Sequence, residues 1–240
     1  FKVGEAVRPL GAMVQDRQSC VVVDETKVAP MFPVVIDVKG VPQAPKTHWS
    51  MEVLEERFMS AGLVASMLGS AVEATVAESR DATWFLHSKV KFAGYGAVEL
   101  DDYGIAVGGM PEAGDFASSH VVRAVGEMLN NPWNHVKMEG VEATLSVQFT
   151  RDVYRLRGVD LLDPIVDAGQ KARIVAHLVP FTGPEISRTL EILVPADLAG
   201  RDVEIEILPG FEVPIDSASP ENTAQLFANL TRVSATPKSV

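Results

Sequence analysis

Cysteine is nearly absent from the 240-residue chain, and one residue, Cys20, cannot form an intrachain disulfide. It sits in the apolar run Cys20-Val21-Val22-Val23, which predicts a buried, inert thiol and leaves the redox compartment open. Long apolar runs are also missing. A membrane helix needs about 20 such residues, whereas the stretch from Ala61 to Val76 is short and carries Gly, Ser and Glu. Basic residues are few and scattered: 21 Lys and Arg face 32 Asp and Glu, a net charge of -11. Neutralising phosphates takes clustered cations, so a nucleic-acid partner is excluded as an expectation. The chain opens on Phe1 with neither Met nor a signal peptide and closes on Lys238-Ser239-Val240 after Pro237, so both ends are expected to be cuts in a longer polypeptide.

Hydrophobic residues make up 47% of the sequence, enough for one large core or two modest ones, and their pattern reads as two. Residues 14–23 pass from polar to β-branched, and a Pro-rich break at 29–33 precedes the alternating run Val34-Val35-Ile36-Asp37-Val38. His48, Ser50 and Glu52 alternate with Trp49, Met51 and Val53, as a half-buried strand requires. Leu63, Val64, Met67, Leu68 and Val72 recur at spacings of three and four, predicting a helix over 57–78 that lies on a sheet. Strands follow over 83–92 and 97–107, with a turn or bulge expected at Asp101-Asp102-Tyr103-Gly104. Phe116, Val121, Val122, Val125, Met128 and Leu129 form one face of a second helix, with Asp115 as its N-cap and Asn130-Asn131-Pro132 as its stop. After Glu139 the pattern changes. Val141, Ala143, Leu145, Val147 and Phe149 alternate strictly, and runs at 153–159, 172–179, 186–194 and 203–208 follow at short spacing. Five short strands with such turns predict an antiparallel immunoglobulin-like β-sandwich. Ser219-Pro220-Glu221-Asn222 then opens a helix with Ala224, Leu226, Phe227 and Leu230 inward, which must dock on a sheet elsewhere. The expected fold is therefore α+β: a mixed region over 1–138 with two helices on a sheet, a β-sandwich over 139–215, and a C-terminal helix opening a further segment over 216–240.

Chemistry-bearing motifs are sparse. No G-x-S-x-G elbow occurs, and Ser118, Ser119 and His120, adjacent on a helix beside Asp115, point in different directions and cannot form a triad among themselves. The five histidines, His48, His87, His120, His135 and His177, lack the short regular spacing of metal ligands. Asp101-Asp102 with Asp115 or Glu112 could offer oxygens to Ca²⁺, but a solvated turn is the simpler reading. Gly108-Gly109 and Gly94-Tyr95-Gly96 read as loop glycines, and Asn229-Leu230-Thr231 as a chance glycosylation sequon within a helix. No catalytic, cofactor-binding or metal-ligating residue is assigned.

Two stretches carry a family resemblance. Gly11-Ala12-Met13-Val14-Gln15-Asp16-Arg17, preceded by Phe1-Lys2-Val3-Gly4 and followed by Ala29-Pro30-Met31-Phe32-Pro33-Val34, resembles a run of the SpoIVB-type serine peptidases in their long secreted bacterial forms. Asn130-Asn131-Pro132-Trp133, then Val179-Pro180-Phe181-Thr182-Gly183-Pro184-Glu185 and Leu193-Val194-Pro195-Ala196-Asp197-Leu198, are similar to further segments of the same proteins. That family's serine and histidine motifs, of GMSGSP and GHP or GHG type, do not occur in these residues, so no catalytic residue is carried over. The resemblance implies the non-catalytic part C-terminal to a peptidase core, and a periplasmic or secreted location. Gln15-Asp16-Arg17 is expected to fix strand register through local pairing. The functional expectation is a scaffolding or protein-interaction region, with other subunits or the rest of its own polypeptide as partners. The alternative is an accessory part of an active serine peptidase whose catalytic residues lie upstream.

Overall fold

The computed structural model describes residues 11–76, 78, 80–208 and 218–234. Strands β1 (Ala12–Arg17) and β2 (Cys20–Asp24) form a two-stranded hairpin. Met13, Val21 and Val23 in it are more than half or about half exposed, and Cys20 is exposed as well. The expectation of a buried thiol is therefore corrected: a two-stranded ribbon has no second layer to press its valines against. Asp16 and Arg17 are also exposed.

The main body begins with β3 (Met31–Lys39), in which Phe32, Val34, Ile36 and Val38 point into the core, and β4 (His48–Leu54), antiparallel to it. The strand starts inside the expected Pro-rich break, and Pro33 is accommodated opposite Glu52. Helix α1 (Ser60–Thr75) is shorter at both ends than its apolar period suggested. Its start is fixed locally, because the Glu56 carboxylate accepts the Phe58 and Met59 N–H groups at 2.7 and 3.0 Å. Its end is tied to the sheet where Trp49 Nε1 donates to Thr75 Oγ1 at 2.9 Å.

Strands β5 (Ala82–Phe92) and β6 (Gly96–Ala106) form a long hairpin around Gly94 and Gly96, both at positive φ. Pairing runs through residues 101–104 without a register shift, so the turn or bulge expected there is absent. Asp101 and Asp102 instead point to opposite faces of one strand. The second helix divides in two, α2 (Ala113–Phe116) and α3 (His120–Leu129). Asp115 is not the N-cap of a long helix. It accepts the Glu112 N–H at 2.7 Å in a capping box, and Ser119 occupies the N-cap position of α3.

Strand β7 (Met138–Gln148) alternates as expected, with Val141, Ala143, Leu145 and Val147 buried. Its place differs from the expectation. Rather than opening a sandwich, it lies between β3 and β5, giving the five-stranded order β4-β3-β7-β5-β6 with β3 and β7 parallel and the other pairs antiparallel. Helices α1 and α3 cover one face of this sheet and enclose a single apolar cluster.

Beyond β7, β8 (Tyr154–Leu161), β9 (Lys171–Pro180) and β10 (Ile186–Leu193) form a three-stranded antiparallel meander in the order β10-β9-β8. A single 3₁₀ turn, Ala196–Leu198, follows. The strand expected over 203–208 makes no ladder, and those residues lie outside any sheet. Among the described residues there is one sheet here, not the two that a sandwich needs.

Helix α4 (Thr223–Ser234) docks on the main body, as a helix without its own sheet must. Leu226 and Leu230 enter the core, and the Phe227 ring lies 6.1 Å from Phe92 and 6.0 Å from Tyr95. Two details are corrected. Asn222, not Ser219, caps the helix by accepting the Gln225 N–H at 2.9 Å, and Ala224 is exposed while Thr223 is buried. Residues 1–4 and 238–240, on which parts of the sequence reading rest, lie outside the described residues. Among the described residues, no helix is long and apolar enough to cross a membrane.

Candidate functional site

The three-stranded sheet is amphipathic, and its two faces follow from strand alternation. Leu156, Val159 and Leu161 of β8, Ala172, Ile174 and Ala176 of β9, and Leu190 and Ile192 of β10 share one face through direct cross-strand pairing. On the other face, Asp160, His177 and Ser187 meet. His177 Nε2 lies 2.8 Å from Asp160 Oδ2, and its Nδ1 lies 3.1 Å from Ser187 Oγ and 3.5 Å from Glu185 Oε1. Arg157, the extra residue of a bulge in β8, pairs with Glu185 and closes the group. Sequence reasoning left these residues unassigned. The signal that could have found them is parity, since Asp160, His177 and Ser187 all fall on the polar side of consecutive strands.

A serine, an imidazole and a carboxylate in hydrogen-bonded series form the skeleton of a hydrolase triad. Acyl transfer also needs a walled cleft and donors aimed at a developing oxyanion. Ser187 stands instead on a border strand, exposed, and Asp160 is 70% exposed. Two open hollows lie away from this face, one among Glu55, Arg57, Trp133 and His135, the other among Asp37, His87, Glu142 and Thr144. The array is built like a cross-strand polar ladder, flanked by Lys171–Glu191 at 2.7 Å and by Arg173, which holds both carboxylate oxygens of Asp163 at 2.8 and 2.9 Å. The Arg173 guanidinium holds the Asp163 carboxyl below its usual range, and Lys171 does the same to Glu191.

The remaining histidines are also placed against carboxylates. On the uncovered face of the main sheet, the pairing register sets His48, Asp37, Thr144, His87 and Asp101 in one row across all five strands. His48 Nδ1 is 2.8 Å from Asp37, and His87 Nδ1 is 2.5 Å from Asp101. The two dyads are separated by the width of Thr144's strand, roughly 10 Å across two strand spacings, which is beyond the reach of one metal ion. His120 belongs to the covered face: Asp102 Oδ1 accepts its N–H at 2.8 Å and lies 2.7 Å from its Nδ1. A carboxylate there complements the positive end of α3. Ser119 Oγ donates to the Phe116 carbonyl at 2.7 Å, so Ser118, Ser119, His120 and Asp115 are not drawn into one site. His135 Nε2 is 3.8 Å from the buried carboxylate of Glu55, which accepts the Met138 N–H at 2.9 Å. Among the described residues, no three His, Cys, Asp or Glu side chains converge in a metal-holding arrangement.

Asn130-Asn131-Pro132-Trp133, singled out by resemblance, has a clear structural task. The Asn131 carboxamide oxygen accepts the Trp133 and Asn134 N–H groups at 3.1 and 3.0 Å, and Thr223 Oγ1 at 3.1 Å. The loop thereby holds the first residue of α4. Asn229, of the sequon, donates to the Ala218 carbonyl at 3.0 Å from within that helix.

Fold and side-chain arrangement together define an α+β protein with a helix-covered five-stranded sheet and a separate amphipathic three-stranded sheet. No family model, curated protein or solved structure matches the chain.

Proposed function

We propose that this chain is a non-catalytic scaffolding or protein-interaction region of a bacterial envelope or secreted protein related to the SpoIVB-type serine peptidases. The observation that carries the interaction role is the apolar face of the three-stranded sheet. Leu156, Val159 and Leu161 along β8 are 40, 42 and 48% exposed, although they share a face with fully buried Ile174. A border strand that leaves such a row open to water suits burial against another surface. In this reading the sheet is one half of an immunoglobulin-like sandwich. The family relation and the exported location rest on the sequence resemblance alone.

A hydrolase centred on Ser187 is the competing reading, favoured by its contact with His177. Fluorophosphonate labelling of the 240-residue chain separates the two, with Ser187→Ala as the control. The expected result is no covalent adduct. Labelling lost on Ser187→Ala would replace the scaffolding role with catalysis.

A further inference from the structure

Residues 202–208, Asp202-Val203-Glu204-Ile205-Glu206-Ile207-Leu208, alternate acidic and β-branched side chains with the period of a strand. They nevertheless lie outside every sheet, with Val203 52% and Ile205 39% exposed. Joining a sheet edge would let a segment so patterned bury one face and pair its backbone in a ladder. The charge pattern selects the edge. Of the four border strands in the two larger sheets, β4 presents His48, Ser50 and Glu52 on its polar face and β6 presents Glu99, Asp101 and Tyr103. Strand β10 presents Ser187, Thr189 and Glu191. Only β8 presents two cations, Arg155 and Arg157, the second also paired with Glu185 of its own chain, with Leu156 and Val159 on the opposite face. Glu204 and Glu206 have the same two-residue spacing as Arg155 and Arg157, and Val203, Ile205 and Ile207 match the apolar side.

Residues 202–208 follow β10 after a turn held by Leu198 N–H to Pro195 and Arg201 N–H to Leu198 carbonyl bonds, and β8 is the opposite border of the order β10-β9-β8.

We infer that residues 202–208 of one copy add as a strand to the β8 edge of a second copy, reciprocally, so that the protein self-associates by strand exchange. This names the partner within the scaffolding role proposed above and rests on it. Two-fold reciprocity makes the two contacts identical and closes the assembly at a dimer.

Light scattering of the full chain across a concentration series is expected to show a monomer–dimer equilibrium. The pair Arg155→Glu with Arg157→Glu should weaken the dimer about tenfold or more by placing like charges opposite one another, and so should Glu204→Arg with Glu206→Arg. Each variant alone is then monomeric where the parent is dimeric, while an equimolar mixture of the two recovers a heterodimer. In a Cys20→Ser background, oxidation of mixed Arg155→Cys and Glu206→Cys chains should give the intermolecular disulfide. Circular dichroism of each variant confirms that the surface changes leave the fold intact. Monomers at every concentration would overturn the inference, as would a dimer indifferent to charge reversal. So would an Arg155→Cys/Glu206→Cys chain that closes on itself at high dilution. These outcomes are independent of the fluorophosphonate result. A monomer without labelling removes the strand exchange alone, whereas labelling at Ser187 removes the scaffolding reading whatever the oligomeric state.

Discussion

Asn131 and Thr223, 92 positions apart in the chain, meet at 3.1 Å, where the carboxamide oxygen of one accepts the hydroxyl of the other. The same oxygen organises its own loop through the Trp133 and Asn134 N–H groups, so a single atom couples the end of α3 to the start of α4. Losing it removes the shared acceptor of the Trp133 and Asn134 N–H groups and leaves Thr223 with Asn134 Oδ1 alone. Asn131→Ala is therefore expected to cost about 0.5–1.5 kcal/mol. Hydrogen exchange should show faster opening of α4 with little change in β5, whereas uniform acceleration across both elements would contradict this coupling.

Gly104 lies directly against Trp84. A methyl group built on Gly104 would sit 2.3 Å from the indole ring, which is itself buried and packed on Phe116 at 4.8 Å between ring centres. Neither ring has room to retreat, so Gly104→Ala should destabilise the protein by about 1–3 kcal/mol through overpacking. Chemical denaturation measures this directly. A variant as stable as the parent would mean that the Trp84 pocket is looser than its geometry implies.

The segment between β7 and β8 is held by Asp81, which accepts from Arg151 Nε at 2.5 Å and from the Gly108 N–H at 2.6 Å. The Gly108 hydrogen bond first, and the Arg151 guanidinium second, hold its carboxyl below the ordinary value of 3.8. A lowered folded-state pKa means that this stabilisation is fully present above the unfolded value and is lost as pH falls through the folded one. Asp81→Asn should thus be less stable than the parent at neutral pH. The difference should narrow as pH drops below 3.8. Thermal melts of both proteins from neutral to acidic pH test the sign, and a gap that widens in acid would refute it.

Cys20 lies exposed near the turn of the β1–β2 hairpin, paired in register with Arg17. A thiol reagent should modify it in the native protein, without denaturant, at a rate close to that of the unfolded chain. Protection until global unfolding would show that the hairpin is covered in solution.

Alternation and helical period were sufficient to locate most elements, because each reports only which side chains of a segment face the same way. Strand β5 and the apolar face of α3 were legible for that reason. What such a pattern does not carry is the identity of the neighbour. Strand β7 reads as a strand with Val141, Leu145 and Val147 inward, yet its parallel pairing with β3, about a hundred residues earlier, depends on a surface that exists only once both have packed under α1. The same limit hid the Asp160–His177–Ser187 series, whose members are brought together by the register of three strands.

The sequence by itself determined where most elements lie, the inward sides of β3, β5 and β7 and the need of α4 for a sheet elsewhere, since these follow from side-chain spacing along one segment. Only the tertiary structure decided that β7 completes the first sheet, that Cys20 faces water, and that residues 202–208 carry a strand's pattern without a strand's partners. Each of those depends on which surfaces are left to be covered once the rest of the chain has packed.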